Sequence, residues 1–322
     1  MATLESTRAS APGKFILFGE HAVVYGEPAL AAPLQSLRAR ARVSRAAAET
    51  PIGLFLTADE ISLRTHYANL KPTHPLAAIV RGTLQAVGSS GAPRAHLQVS
   101  SNIPIAAGLG SSAATAAAVA QALARFLQHE LSAERLSELV FEVEKLQHGT
   151  PSGIDNTVVA HEQPVFFSKG ASTEVLKLAR PLSFVLADSG QRSSTRDAVV
   201  RVRQRYNSRR SAYQSSFTEM GNIARAARTA LARGDSSRLG ELMCRNHARL
   251  QEIGVSCPPL DRLVEAAIRA GAPGAKLSGA GLGGHIIAHV HRGDGDRVGS
   301  ALAAAGARSV IMTELTPSAN AA

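Results

Sequence analysis

Three positions along this chain carry side chains suited to moving a phosphoryl group, and one loop suits the binding of phosphate. The segment Pro104-Ile-Ala-Ala107-Gly108-Leu109-Gly110-Ser111-Ser112 leads into an alanine-rich run. Glycines let backbone N–H groups approach phosphate oxygens without side-chain obstruction. A helix starting at Ser111 adds unpaired N–H groups and the positive end of its dipole. The segment matches neither G-x-x-x-x-G-K-[ST] nor G-x-G-x-x-G, and taken alone it is more often an ordinary glycine turn before an N-capped helix. Asp155 follows Pro151-Ser152-Gly153, a loop able to hold a carboxylate rigidly as a proton acceptor; its bland reading is an Asx-turn with Asn156. Lys14, after Ala11-Pro12-Gly13, offers an ammonium that would stabilise transition-state charge beside such a carboxylate, and is otherwise a solvated chain end. Glu144 lies eleven positions before Asp155, late in a helix, so its carboxylate can project toward the same cavity. The alternative is an exposed helix acid paired with a neighbour.

Elements must hold these groups in place. Ser10–Phe18 and Ala29–Val43 read as strands, the second with Arg38, Arg40 and Arg42 alternating onto one wet face. Leu97–Ser101 is a short strand running into the Pro/Gly loop, and Ser111–Leu127 is a helix: strand, loop, helix is a phosphate-site arrangement. A second helix starts near Ser132, a plausible N-cap, runs to about Gln147, and stops at Gly149 and Pro151. Val165–Phe167 and Phe184–Ala187 are strand-like, with a domain boundary placed near Arg180. Helical spacing then covers Thr195–Tyr213, Phe217–Arg233, Ser236–Ile253 and Leu260–Ala270. The glycine-rich stretch Gly279–Gly284 and strands at Ile286–Val290 and Ser309–Met312 follow, and Pro317–Ala322 reads as a frayed tail.

Composition narrows the class. The 322 residues suit two domains, and 45% hydrophobic with 19% charged residues is ordinary for a globular chain. The net charge of +10 comes from 35 basic residues, of which six are lysines. Seven arginines between Arg192 and Arg210 read as a solvated helix face. With 4% aromatic residues, base-stacking platforms are scarce, so nucleic acid is not the expected partner. A positive field that attracts nucleotides fits the same charge. Cys244 and Cys257 are too few and too distant for a disulfide framework or metal cluster, and Met1–Ser10 has no apolar signal region; both point to the cytoplasm. The charge-free stretch between Arg94 and Arg125 is not a membrane span, because Pro104, Gly108 and Gly110 interrupt it and alanine dominates it.

Two further segments change the weight of the glycine loop. Near the N-terminus, Ala11-Pro12-Gly13-Lys14 is followed by Gly19-Glu20-His21. Near the C-terminus stands Lys276-Leu-Ser278-Gly279-Ala-Gly281-Leu-Gly283-Gly284. With the loop at 104–112, these three in this order resemble the signature of the GHMP kinases. Phe18-Gly-Glu-His-Ala-Val-Val-Tyr-Gly26, His148-Gly-Thr-Pro-Ser-Gly-Ile-Asp-Asn156 and Gly254-Val-Ser-Cys-Pro258 with Leu260-Asp261 are similar to the mevalonate kinase branch. The likeness covers nearly the whole chain.

That resemblance implies a two-domain α+β fold. Residues 1–180 would be similar to ribosomal protein S5 domain 2, and residues 181–322 would be ferredoxin-like. It implies ATP and Mg²⁺ as cofactors, mevalonate as the small-molecule substrate, 5-phosphomevalonate as product, and a homodimer as the assembly. By position it makes Asp155 the base and Lys14 the electrostatic stabiliser. It assigns Pro104, Ala107, Gly108, Leu109, Gly110, Ser111 and Ser112 to ATP, Ser112 and Glu144 to Mg²⁺, and Glu20, His21, Ser152 and Thr195 to the acceptor. Arg196 is a weaker candidate for the acceptor carboxylate. Leu282 stands where many relatives have glycine and His285 where many have cysteine. The rival readings are another kinase of the superfamily acting on phosphomevalonate, homoserine or a sugar, diphosphomevalonate decarboxylase, and a sensor that keeps the fold without activity.

Overall fold

A computed structural model describes residues 5–46, 53–105, 107–148, 151–171, 173–192 and 194–317, without the side chains of His148 and Arg196. Ala106 of the glycine loop, Gly149 and the tail 318–322 lie outside the described residues. The chain forms two compact units, Met1–Lys14 with Leu37–Glu162, and Phe15–Ser36 with Gln163–Ala322. Two long strands, β1 (Ser6–Phe18) and β2 (Ala29–Arg45), each contribute residues to both.

The first unit continues with β3 (Leu54–Ala58), β4 (Leu63–His66), α1 (Pro75–Ala86), β5 (Ala95–Ser101), α2 (Ser111–Phe126), α3 (Ala133–His148) and α4 (Ile154–His161). Residues Ala39–Arg45 of β2 pair antiparallel with β5, which pairs parallel with β3; β3 pairs antiparallel with β4. Alternation along β2 buries Ala39, Ala41 and Val43 and turns Arg38, Arg40 and Arg42 to the other face, as the arginine spacing implies. Arg38 is fixed there, donating to Ser10 Oγ at 3.0 Å and to both Glu162 carboxylate oxygens at 3.0 and 2.9 Å.

Helix α2 explains its own composition. Ala113, Ala114, Ala116, Ala117, Ala118, Ala120, Ala122 and Ala124 are all buried, because the helix packs against β5, α1, α3 and α4. Small side chains let four neighbours approach a single helix, and alanine costs least in helix propensity. The charge-free stretch is thus the centre of a folded unit, and no helix among the described residues is long and apolar enough to cross a membrane. Ser132 caps α3 as expected, its Oγ accepting from Arg135 N at 3.2 Å.

The second unit holds β6 (Val165–Phe167), β7 (Glu174–Val175), β8 (Leu182–Asp188), α5 (Thr195–Ser208), α6 (Arg210–Arg233), α7 (Ser236–Glu252), α8 (Pro258–Arg269), β9 (Gly274–Ser278), β10 (His285–Val290), α9 (Gly295–Ala304) and β11 (Ser309–Leu315). Four strands make an antiparallel sheet in the order β11-β8-β10-β9. Phe217, Met220, Leu250, Leu263, Ile286, Val298 and Leu302 belong to one core with it. Helix α7 lies directly on the start of β9: a Cβ on Gly240 would stand 2.4 Å from Pro273 O, and one on Gly274 2.1 Å from Gly240 O. Glycine at both positions is what permits that approach. The helical run that the spacing places over Thr195–Tyr213 breaks earlier, at Arg209 (φ −138°, ψ 49°). From Arg210 a single helix turns Tyr213, Phe217 and Met220 into the core.

Candidate active site

In the first unit the glycine loop, β1 and α4 meet. Gly108 and Gly110 both adopt φ +74°, a conformation that costs a residue with a Cβ about 1–2 kcal/mol. Gly110 is the N-cap of α2 and offers no side chain, so the first-turn N–H groups are not capped from that position. Uncapped first-turn N–H groups are the donors a polyphosphate needs. Leu109 is buried and its carbonyl accepts from Lys14 N at 2.9 Å, which pins the loop to β1. Lys14 then passes behind Gly110, where its stem occupies the space a side chain would take: a Cβ on Gly110 would lie 2.7 Å from Lys14 Cγ. The lysine ends 3.0 Å from Asp155 Oδ1, with side chains 9% and 30% exposed.

Asp155 stands in the first turn of α4, which opens at Gly153 (φ +91°); a carboxylate there is favoured by the helix dipole. Its surroundings are rigid. Ser152 Oγ accepts from Ile154 N at 3.3 Å, and Thr157 Oγ1 donates to Gly153 O at 2.7 Å. Asn156, buried, donates through Nδ2 to Ser137 Oγ at 2.8 Å and Ser137 O at 3.2 Å, tying α4 to α3. So Asn156 is a tether, not the partner of an Asx-turn. Glu144 is a buried acid on α3 and not an exposed one. Ser112 Oγ donates to Gln147 Oε1, three residues on from Glu144 and therefore on the same helix face. Ser112, Glu144 and Gln147 bring hydroxyl, carboxylate and amide oxygens to the end of α3, a donor set of the kind a hard divalent cation takes. Gln147 was not singled out by sequence reasoning; its spacing from Glu144 was the available signal.

The second unit holds the remaining motif residues. His21 has φ 59° and ψ −46°, strained for a side chain of its size, and is buried with Nε2 2.8 Å from Ala280 O. A carbonyl only accepts, so Nε2 carries the proton. Burial holds the ring below the ordinary histidine value, so it is neutral, the carbonyl opposing that shift. Its Nδ1 is therefore an acceptor, able to receive a hydrogen bond from a hydroxyl. Thr195 is the exposed first residue of α5, after Ser194, whose Oγ accepts from Asp197 N.

Glu20, expected to meet the acceptor, is buried: its carboxylate is held by Lys276 Nζ, the two side chains 1% and 0% exposed. Burial pushes Glu20 up and Lys276 down, and each partner's charge opposes that shift. Lys276 Nζ also donates to Leu277 O at 2.7 Å.

The glycine loop after β9 is fastened on several sides. Leu282 takes φ +58° where glycine would be unstrained; its N–H donates to Val255 O at 2.7 Å and its carbonyl accepts from Gln191 Nε2 at 2.8 Å. Glycine is needed at Gly281, where a Cβ would stand 2.1 Å from Val255 O. The stretch 254–261 thus braces this loop, and Asp261 is the anchor. Its Oδ1 accepts from Ser256 Oγ at 2.5 Å and Gln251 Nε2 at 2.9 Å and lies 3.2 Å from His247 Nε2.

Comparison with known proteins gives the family and the fold. Residues 76–162 match the GHMP kinases N terminal domain and residues 227–308 the GHMP kinases C terminal. The chain is 35% identical to the mevalonate kinase of Thermococcus sibiricus over 297 residues, covering 87% of this chain and 88% of the relative. It is 36% identical to that of Pyrococcus horikoshii over 299 residues, covering 87% of each. Among solved structures, L. major mevalonate kinase in complex with R-mevalonate superposes with a TM-score of 0.83 at 26% identity, covering 98% of both chains.

Proposed function

We infer the reaction from one premise: this chain belongs to the GHMP kinase family, in its mevalonate kinase branch. It is an ATP-dependent phosphotransferase that phosphorylates mevalonate, giving 5-phosphomevalonate and ADP. The roles of individual residues are our reading, and the observation that supports them is the Lys14–Asp155 pair, 3.0 Å apart and seated behind Gly110 of the phosphate loop.

In this reading the attacking hydroxyl gives its proton to Asp155 as the O–P bond forms. Lys14, already beside that carboxylate, stabilises the charge that develops on the attacking and transferring oxygens. The N–H groups of the loop and of the first turn of α2 hold the phosphates in line. Ser112 and Glu144 would hold Mg²⁺, which when bound neutralises phosphate charge. Positioning supplies most of the rest, since in-line transfer asks little covalent chemistry of the protein. His21, through Nδ1, Ser152 and Thr195 are the proposed contacts of the acceptor. A cytoplasmic homodimer completes the reading.

The test is an acceptor panel with Mg-ATP: mevalonate, phosphomevalonate, diphosphomevalonate, homoserine and galactose, read as coupled ADP release and as CO₂ release. Mevalonate-dependent ADP release without CO₂ is the expected result. Preference for another acceptor, or CO₂ from diphosphomevalonate, overturns the substrate assignment, and no turnover with any acceptor favours a sensor.

A further inference from the structure

Glu20 and Lys276 lie 256 positions apart yet form an ion pair with no exposed surface on the lysine and almost none on the carboxylate. A buried pair of this kind is weak evidence for stability, because desolvating two charges costs about as much as their attraction returns. A role in specifying geometry accounts better for its presence, and its surroundings say which geometry. The residue after Glu20 is His21, whose strained backbone and ring sit on Ala280 O at 2.8 Å. Two residues past Lys276, Ser278 Oγ donates to Ile16 O at 2.8 Å and accepts from Ile16 N at 3.2 Å. Lys276 Nζ also lies 5.9 Å from the centre of the Phe18 ring. The segments 16–21 and 276–282 are therefore fastened at three points, with the ion pair in the middle and the His21 ring at the end.

We propose that Glu20 and Lys276 are positioning residues for the acceptor: their buried pair sets the His21 ring and the loop beginning at Gly279, and Glu20 acts by holding this junction, not by touching the substrate. The inference rests on the reading that His21 meets mevalonate. A side chain with 1% of its surface exposed cannot reach a ligand without first leaving Lys276. Lys276, wholly enclosed, can influence the acceptor only through what it fixes.

The experiment is a double-mutant cycle on the full-length protein: Glu20→Gln, Lys276→Met and both together. KM for mevalonate, KM for ATP and kcat are measured on variants shown to be folded by circular dichroism. Each single change should raise KM for mevalonate about tenfold and leave KM for ATP within about twofold. The double should show about the same tenfold rise, not the hundredfold product, because both changes break one device. Unchanged KM for mevalonate in folded variants, with only the melting temperature lowered, reduces the pair to a structural one and overturns the proposal. So does a multiplicative double, or an effect of Glu20→Gln that Lys276→Met and the double do not share, since either would mark Glu20 as an independent ligand. If Lys276→Met does not fold, Glu20→Gln and the double decide the matter: equal KM values support the proposal and unequal ones refute it. A wild type that does not turn over mevalonate sinks the functional reading itself; wild-type turnover with unshifted variants sinks this inference alone.

Discussion

Replacing Gly110 by alanine isolates the contact between the phosphate loop and Lys14, because Gly108 provides a matched control. Both glycines sit at φ +74°, so both substitutions carry the left-handed penalty of about 1–2 kcal/mol, roughly 2–4 °C of melting temperature per kcal/mol in a protein of about this size. Their surroundings differ. A Cβ at 108 meets nothing within 4 Å, whereas one at 110 stands 2.7 Å from Lys14 Cγ and 3.5 Å from Lys14 N. The backbone there is held by the Lys14 N to Leu109 O bond of 2.9 Å, so the lysine stem must give way, by roughly 0.7 Å or more to reach ordinary contact. Misplacement of that order at a reacting centre costs up to about 10²-fold. Gly110→Ala should therefore lower kcat by about 10- to 100-fold, equivalent to about 1.4–2.7 kcal/mol of barrier. Gly108→Ala should keep kcat within about threefold and act on KM for ATP. Coupled ADP release gives both constants and differential scanning fluorimetry gives the stability. Equal loss of kcat in the two variants, or a wild-type kcat in Gly110→Ala, refutes the argument that Lys14 is aimed by the space glycine leaves.

Three further outcomes follow from the same geometry. Asp155→Ala should bind ATP normally, by calorimetry, while kcat falls by about 10²–10⁴; an active variant removes the aspartate from its role. Asn156→Ala breaks the bonds from α4 to Ser137 and should cost about 1–3 kcal/mol in urea denaturation, together with a fall in kcat through its neighbour Asp155; stability lost without any change in turnover would separate the tether from the chemistry. Finally, His21, His247 and His289 are each held below the ordinary value of 6.5, chiefly by burial. The unfolded chain therefore takes up protons at these sites first. Stability that is full above pH 6.5 should be lost below it, by up to about 1.4 kcal/mol per pH unit for each histidine. Melting temperatures at about pH 7.5 and 5.5 check this; a constant value across that window contradicts it, and His289→Gln should flatten the slope.

The strands β1, β2, β5, β6, β8, β10 and β11, the alanine helix and the motif residues were legible because each depends on neighbours in the chain. Alternation placed β2 and its wet face, the Pro/Gly loop announced α2, and Ser132 marked the start of α3. The spacing did not single out β3, β4, β7, β9, α1, α4 or α9. Helix α4 is only 8 residues long and starts at a glycine in place of a side-chain cap, so it carries little periodic signal. The break at Arg209 was misplaced because the surface-facing arginines continue helical spacing through it, and only the core side of α6 requires a new start.

What the residue order determined by itself was the list of reactive groups and the local shapes offering them: a glycine loop before a helix, an aspartate at a helix start, a lysine at the end of a glycine turn. Only the tertiary structure decided what each group faces. It set Lys14 behind Gly110 and against Asp155, made Gln147 the partner of Ser112, and fixed the His21 tautomer through Ala280. It also turned Glu20 away from solvent onto Lys276. The physical reason is that charge, hydrogen bonding and burial act across distance in space, and spacing along the chain says little about which buried carboxylate a folded lysine will meet.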